Sequence, residues 1–420
     1  MTTSVLPLGQ AINAGLRRAL EEDPKVVLMG EDIGKLGGVF RVTSGLQKDF
    51  GDHRVIDTPL AESGIIGTAI GLAMRGFRPV CEIQFDGFIY PAFDQIVSQV
   101  AKLHYRTKGD AKMPITIRVP FGGGIGAVEH HSESPEAYFA HTAGLRVVAC
   151  SNSADAHLMI RQAIASDDPV LFFEPKRRYW DKSEVDDQTA LDSFGLHQAR
   201  VLQSGTDVTV VTYGPLVATA LAAARVAAEE GTSIEVIDLR SISPIDFDTV
   251  EASVRRTGRL VVAHEAPVFF GPGAEIAARI TERCFYQLEA PVLRVGGFDI
   301  PYPPAKLEEN YLPTWTGSCR GGPYPKRGVN RHGCRGELPT TRSGRGPGRR
   351  RTAALERRSR RHGHPEPGDR RGGDGQSSRG TALPVRWSGT GPARGRGRHG
   401  DRRHRDHHLR RRGPGHRDTS

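Results

Sequence analysis

The segment DTPLAESGIIG at residues 57–67 carries the strongest local chemistry in the chain. Glu62 stands at the mouth of a glycine-containing helical pattern, with Leu60, Ile65 and Ile66 beside it. An apolar setting raises a carboxyl pKa by desolvation, so such an acid can keep or lend a proton near neutrality. A Glu in the first helical turn also simply complements the helix dipole, and the segment alone leaves both readings open. EHHSES at 129–134 holds two adjacent histidines, a side-chain type suited to acid–base work near neutrality, and otherwise reads as a solvated loop. GGGIG at 122–126 has the glycine density of a phosphate loop. No Lys-Ser/Thr pair follows it, so it reads as a tight loop that lets the backbone pass close to the active site.

The elements that must position these residues follow from periodicity. VVLMG at 26–30 reads as a buried strand, and residues 61–75 have helical spacing with Gly76 as a stop signal. PVCEIQF, PITIRVP, LRVVAC and PVLFFEP read as further strands, separated by the helical patterns FDQIVSQVAKLHYRT and ADAHLMIRQAIAS. Strands alternating with helices predict an α/β domain on a mostly parallel sheet, over residues 1–180. Residues 181–206 are polar without periodicity and read as a linker. A second, smaller alternation over 207–313 predicts another α/β domain, with a helix starting at SPIDFDTV. The small residues Gly67, Ala69 and Gly71 are expected along one helix face for close packing, within or between subunits.

Charge is unevenly distributed. Residues 314–420 hold 28 Lys+Arg against 8 Asp+Glu, and 22 of the 50 glycines, whereas residues 1–313 are acidic. The tail's composition cannot bury enough apolar surface to fold, so disorder is expected there. Its positive charge admits a nucleic-acid-binding reading, which the scarcity of aromatic residues for base stacking weighs against. No basic leader with an apolar stretch opens the chain and no run of about 18 apolar residues occurs, so neither a secretory signal nor a membrane span is expected. The five cysteines are scattered without a C-x-x-C pair, which argues against zinc and fits a reduced cytoplasmic setting.

Taken together, the blocks GEDIGKLGGVFRVTSGL, DTPLAESGIIGTAIGLAMRG, EIQFDGFIYPAFDQIVSQVAK, GGGIGAVEHHSESPEAYFAHTAGLRVV and DPVLFFEPKRRY, in that order, are similar to one family. They resemble the beta subunit of the thiamine-dependent decarboxylating component of 2-oxoacid dehydrogenase complexes. EVIDLRSISPIDFDT and LEAPVLRVGGFDIPYPPAKLE continue the resemblance. It implies a transketolase pyrimidine-type domain followed by a transketolase C-terminal-type α/β domain. It implies thiamine diphosphate shared with an alpha subunit that supplies the diphosphate and magnesium site, in an assembly of two alpha and two beta chains. It further implies oxidative decarboxylation of branched-chain 2-oxoacids, or alternatively pyruvate, with acyl transfer to a lipoyl acyltransferase core. A single-chain transketolase or deoxyxylulose-phosphate-type enzyme is disfavoured, because those carry the diphosphate domain in the same polypeptide.

The same resemblance gives roles to residues. Glu62 is expected to hydrogen-bond the cofactor's pyrimidine nitrogen, Phe88 to stack on that ring, and Leu60 and Gln84 to flank it. His131 matches an active-site histidine. Ile115, Thr116, Ala163, Ser166 and Asp168 match a monovalent-cation site, potassium in this reading. The family's last helix is expected directly after YLP at 311–313, where an Arg/Gly-rich string begins instead. A shifted reading frame in a GC-rich gene yields such a string, and resequencing across codon 313 tests that origin.

Overall fold

The computed structural model describes residues 3–314. The expectations for the basic tail, including its reading-frame origin, lie outside the described residues. Fourteen strands are present among them: β1 Thr3–Pro7, β2 Val26–Gly30, β3 Val55–Asp57, β4 Arg78–Glu82, β5 Thr116–Phe121, β6 Arg146–Ala149, β7 Val170–Pro175, β8 Lys182–Asp186, β9 Arg200–Gln203, β10 Val208–Thr212, β11 Ile234–Asp238, β12 Ser241–Ser243, β13 Leu260–Pro267 and β14 Leu293–Gly297. The helices are α1 Leu8–Glu22, α2 Leu46–Phe50, α3 Glu62–Met74, α4 Ala101–Arg106, α5 Glu136–Ala140, α6 Ser153–Ala165, α7 Val217–Glu229, α8 Phe247–Thr257, α9 Pro272–Cys284 and α10 Glu308–Tyr311.

The large sheet has the order β12-β6-β7-β5-β4-β2-β3, all parallel except β12. Its central strands are buried on both faces, as parallel strands between helical layers must be. On one face α1 lies against α6, with Leu8, Ile12, Leu16 and Leu20 meeting Met159, Ile160 and Ile164. Gly15 is required at that crossing, because a Cβ there would sit 2.5 Å from Ile160 Cγ2. On the other face Ile65, Ile66, Ala69 and Ala73 of α3 join Ile117, Val119 and Phe121 in a core that runs on into Val211, Tyr213, Ile237 and Leu239. The smaller sheet, β14-β13-β10-β11-β9, is parallel apart from β9.

Three features differ from the sequence-based expectation. The polar stretch 181–206 is not structureless: β8 pairs with β1 in a two-stranded ribbon, and β9 forms an edge of the smaller sheet. β12, only three residues long, returns from the second domain to add an antiparallel edge to the first sheet. Gly67, Ala69 and Gly71 do not share a face. At 3.6 residues per turn, position 69 lies opposite 67 and 71, and Ala69 is buried while Gly71 is exposed. α8 begins within the expected SPIDFDTV segment, with Asp246 as N-cap accepting the Thr249 N–H. Cys81, Cys150 and Cys284 are free and buried, and burial pushes the Cys81 and Cys150 thiols up. No helix among the described residues is long and apolar enough to cross a membrane.

Candidate active site

In open parallel sheets the carboxyl ends of the strands form the ligand-binding edge. Here that edge collects Glu31 after β2, Leu60 and Glu62 after β3, Gln84 and Phe88 after β4, His131 after β5 and Lys176 after β7. The parallel topology, rather than any local motif, makes these distant residues neighbours along one rim.

Glu62 opens α3 and is only 7% exposed, yet no hydrogen-bond donor of the described residues reaches its carboxylate. Glu31 stands close enough to feel its charge. Burial first, then the charges of Asp32 and Glu62, push the Glu31 carboxyl up. Glu31 Oε2 is buried without a partner. A buried carboxyl oxygen without a donor is costly, and Glu31 Oε2 is such an oxygen, beside the largely buried Glu62. Leu60 is 61% exposed, and Gln84 is half-buried without a side-chain partner among the described residues.

Phe88 and His131 are brought together. The His131 imidazole lies 4.1 Å from the Phe85 ring and 5.1 Å, edge-on, from Phe88. Its Nδ1 is 2.9 Å from the His130 carbonyl oxygen. A carbonyl only accepts, so Nδ1 carries the proton and Nε2 keeps its lone pair. Burial, followed by the neighbouring His130, lowers the His131 pKa and favours that neutral form. Adjacent His130 is exposed, and its backbone packs on Gly87, where a Cβ would run into the His130 carbonyl.

A buried ion pair underlies this cluster. Asp86 and Lys176 are both fully buried and bonded to one another, and Asp86 also accepts the Glu133 N–H at 2.8 Å. Burial pushes the Asp86 carboxyl up to about 6 despite the ammonium beside it, and lowers the Lys176 pKa. Below the rim, Arg118 of β5 is clamped between Glu82 of β4, at 2.6 Å, and Glu174 of β7, at 2.6 and 3.0 Å. Sequence patterning missed both groups, because their members are apart along the chain and each looks like an ordinary strand-end charge.

The five expected cation residues also come together, but at the opposite edge of the same sheet. Val170 N–H donates to the Ile115 carbonyl, and Ser166 N–H donates to that of Ala163. The Ser166 hydroxyl donates to the Asp168 carbonyl at 3.0 Å, and Arg146 holds the Asp168 carboxylate. Thr116 Oγ1 is buried without a partner. Among the described residues there is no cluster of three or more His, Cys, Asp or Glu able to hold a metal ion. The oxygens these residues offer are backbone carbonyls and the Thr116 and Ser166 hydroxyls, since Arg146 engages the Asp168 carboxylate.

Comparison with known proteins places the fold in a class. The transketolase pyrimidine binding domain family matches residues 5–181, and the transketolase C-terminal domain family matches residues 197–317. A solved "split gene transketolase, inactive beta4 tetramer" superposes with a TM-score of 0.61 at 25% identity, covering 74% of this chain and 95% of that one. The pyruvate dehydrogenase E1 component subunit beta of Leifsonia xyli subsp. xyli is 63% identical over 308 residues, 73% of this chain and 91% of the relative. The 3-methyl-2-oxobutanoate dehydrogenase subunit beta of Mycobacterium tuberculosis is 58% identical over 312 residues, 74% of this chain and 89% of the relative. The 2-oxoisovalerate dehydrogenase subunit beta of Pseudomonas aeruginosa is 45% identical, over 78% of this chain and 95% of the relative. The chain belongs to the family of 2-oxoacid dehydrogenase E1 beta subunits, and is an enzyme component of that kind.

Proposed function

We propose that this chain contributes the pyrimidine-holding half of a thiamine diphosphate site for oxidative decarboxylation of branched-chain 2-oxoacids, of the 2-oxoisovalerate type. The observation that carries the reading is Glu62, a largely buried acid that no donor of the described residues reaches, on the rim that also bears Phe88 and His131. These residues fit the cofactor. Glu62 would meet the pyrimidine ring nitrogen, Phe88 would offer it a half-buried aromatic face, and Leu60 and Gln84 would flank the ring. When bound, thiamine diphosphate supplies the electron sink for loss of carbon dioxide. Glu62 holds a proton at the pyrimidine nitrogen, a role typically worth about 10²–10⁴-fold in rate. Neutral His131, with Nε2 free to accept, handles a proton on the substrate side.

The reading requires an alpha subunit, in a pair of each chain, to supply the diphosphate and magnesium groups. It requires a lipoyl acyltransferase core to take the acyl group, and a cytoplasmic setting. A potassium ion at Ile115, Thr116, Ala163, Ser166 and Asp168 belongs to the same reading, supported by the unpartnered Thr116 hydroxyl. Pyruvate is the second reading for the substrate, because the Leifsonia relative bears that name. Co-expression with the neighbouring alpha chain, followed by assay on 2-oxoisovalerate and pyruvate, decides between them. No turnover of either 2-oxoacid by an assembled, thiamine-loaded complex would sink the proposal.

A further inference from the structure

The loop that presents His131 is fastened by carboxylates from elsewhere in the chain, two of them from the second domain. Gly122 N–H donates to the Glu133 carbonyl at 2.9 Å, so the ends of residues 122–133 meet. Asp86 takes the Glu133 N–H at that junction. Within the loop, Glu265 of β13 accepts the Gly123 N–H at 2.5 Å and pairs with Arg177 at 2.8 Å. Glu308, the first residue of α10, accepts the Gly124 N–H at 2.7 Å and the Gly126 N–H at 3.1 Å. The Tyr302 hydroxyl donates to the same Glu308 carboxylate at 2.7 Å. Glu308 is 8% exposed.

The glycines explain how two peptide N–H groups can converge on one carboxylate. Gly122, Gly124 and Gly126 have φ of +78°, +91° and +70°. Alternating left-handed residues aim successive N–H groups into one concavity, the geometry that elsewhere cradles an anion. Side chains are shut out as well: a Cβ on Gly123 would run into the Tyr302 hydroxyl, and one on Gly124 would lie 2.7 Å from Arg177 Cδ. The glycine string therefore is an anion nest, but one already filled by the chain's own second domain. Charge-assisted bonds of this kind are about twice as strong as neutral ones.

We infer that Glu308 is a positioning residue for His131, its carboxylate filling the Gly124–Gly126 nest and thereby setting the loop that carries the imidazole. The inference rests on the reading that places His131 in the active site. It assigns the second domain a direct part in ordering the first domain's rim, through an acid about 180 residues from the loop in sequence.

The test uses the complex assembled with the alpha chain. Glu308→Ala should lower kcat at least tenfold with little change in the KM for the 2-oxoacid. Amide hydrogen exchange across residues 122–133 should quicken in the same variant. Sodium formate, a carboxylate small enough for the vacated nest, should restore both kcat and slow exchange while leaving the wild-type complex unchanged. Glu308→Gln, which still presents an accepting oxygen, should keep most of the activity. A Glu308→Ala complex with wild-type kcat overturns the inference, and so does a loss shared equally by Gln and unrelieved by formate. His131→Ala separates the two claims. Full activity in that variant removes the histidine's catalytic role, while the exchange measurement still reports whether Glu308 holds the loop.

Discussion

The two edges of the large sheet are built from similar residue types and differ in how fully those residues are partnered. At the amino-terminal edge the charged groups are answered within the chain. Arg54 donates to the carbonyls of Leu20, Asp23 and Val26, and Arg78 reaches Ile164, Ser166 and Asp167. Lys112 pairs with Asp167 and Arg146 with Asp168. At the carboxyl-terminal edge, among the described residues, Glu62 lacks a donor, Glu31 Oε2 is unpartnered and His131 keeps Nε2 open. The contrast is one of weight rather than kind: the carboxyl-terminal edge also holds the closed Asp86–Lys176 pair, and the amino-terminal edge leaves a single hydroxyl, Thr116 Oγ1, without a partner among the described residues.

The sharpest way to break that comparison is at Glu62. Glu62→Ala should remove about 10²-fold or more of the decarboxylation rate in the assembled complex. The melting temperature should change little, because among the described residues no hydrogen bond or ion pair is lost with the Glu62 carboxylate. Retention of substantial turnover would remove Glu62 from the chemistry.

His131 gives the next largest effect, and its sign is set by its surroundings. Burial and the neighbouring His130 hold its imidazole below the ordinary value of 6.5. The neutral form is the one proposed to act, so the rate should hold at pH 6.5 and fall only as pH drops through the lowered pKa. The profile of kcat/KM against pH measures this. An acid limb above 6.5, or one unchanged in His131→Ala, assigns the limb to another group.

What was legible in the sequence divides along the same lines. Glu62, Phe88 and His131 are singled out by the family resemblance of the strings that carry them, Glu62 by its local setting as well. The fold class was legible because alternating strand and helix periods survive in a parallel sheet. The glycine string reads as a tight loop from sequence, but the carboxylates that fill it do not, since Glu265 and Glu308 lie 142 and 184 residues further on. β12 escaped notice because three residues show no period, and β8 and β9 because edge strands carry polar sequences. The cation residues contribute mostly backbone oxygens, on which side-chain identity leaves little mark.

Glu136 probes the comparison from inside the ligand-binding half. It is fully buried, its Oε2 has no partner, and Tyr213 donates to its Oε1 at 2.6 Å. Burial pushes it up to about 7 despite that bond. In the unfolded chain it titrates near 4.5, so between these values the folded state holds the extra proton and stability falls as pH rises. Glu136→Gln removes that dependence. It should stabilise the protein by ~3 kcal/mol at pH 8 and by nothing at pH 4. Chemical denaturation at the two pH values reads the difference. A destabilised variant at pH 8 means the carboxylate is needed ionised, and moves Glu136 into the group of ligand-facing acids.

The smallest effect tests the amino-terminal edge. Arg54 joins the end of α1 to the start of β2 by three hydrogen bonds to backbone carbonyls, at 2.7, 3.1 and 2.9 Å. Two of those carbonyls, Leu20 and Asp23, belong to the end of α1 and the turn after it, where a cation also meets the helix dipole. Arg54→Met preserves the length of the stem while deleting every donor. The loss should be ~1–2 kcal/mol, below the sum of three bonds, because the half-buried carbonyls can recruit water. The catalytic rate should not change, since no contact of Arg54 reaches the opposite rim. A fall in kcat at unchanged stability would show that the two edges are coupled through β2 and β3, and that the division between them is one of composition rather than function.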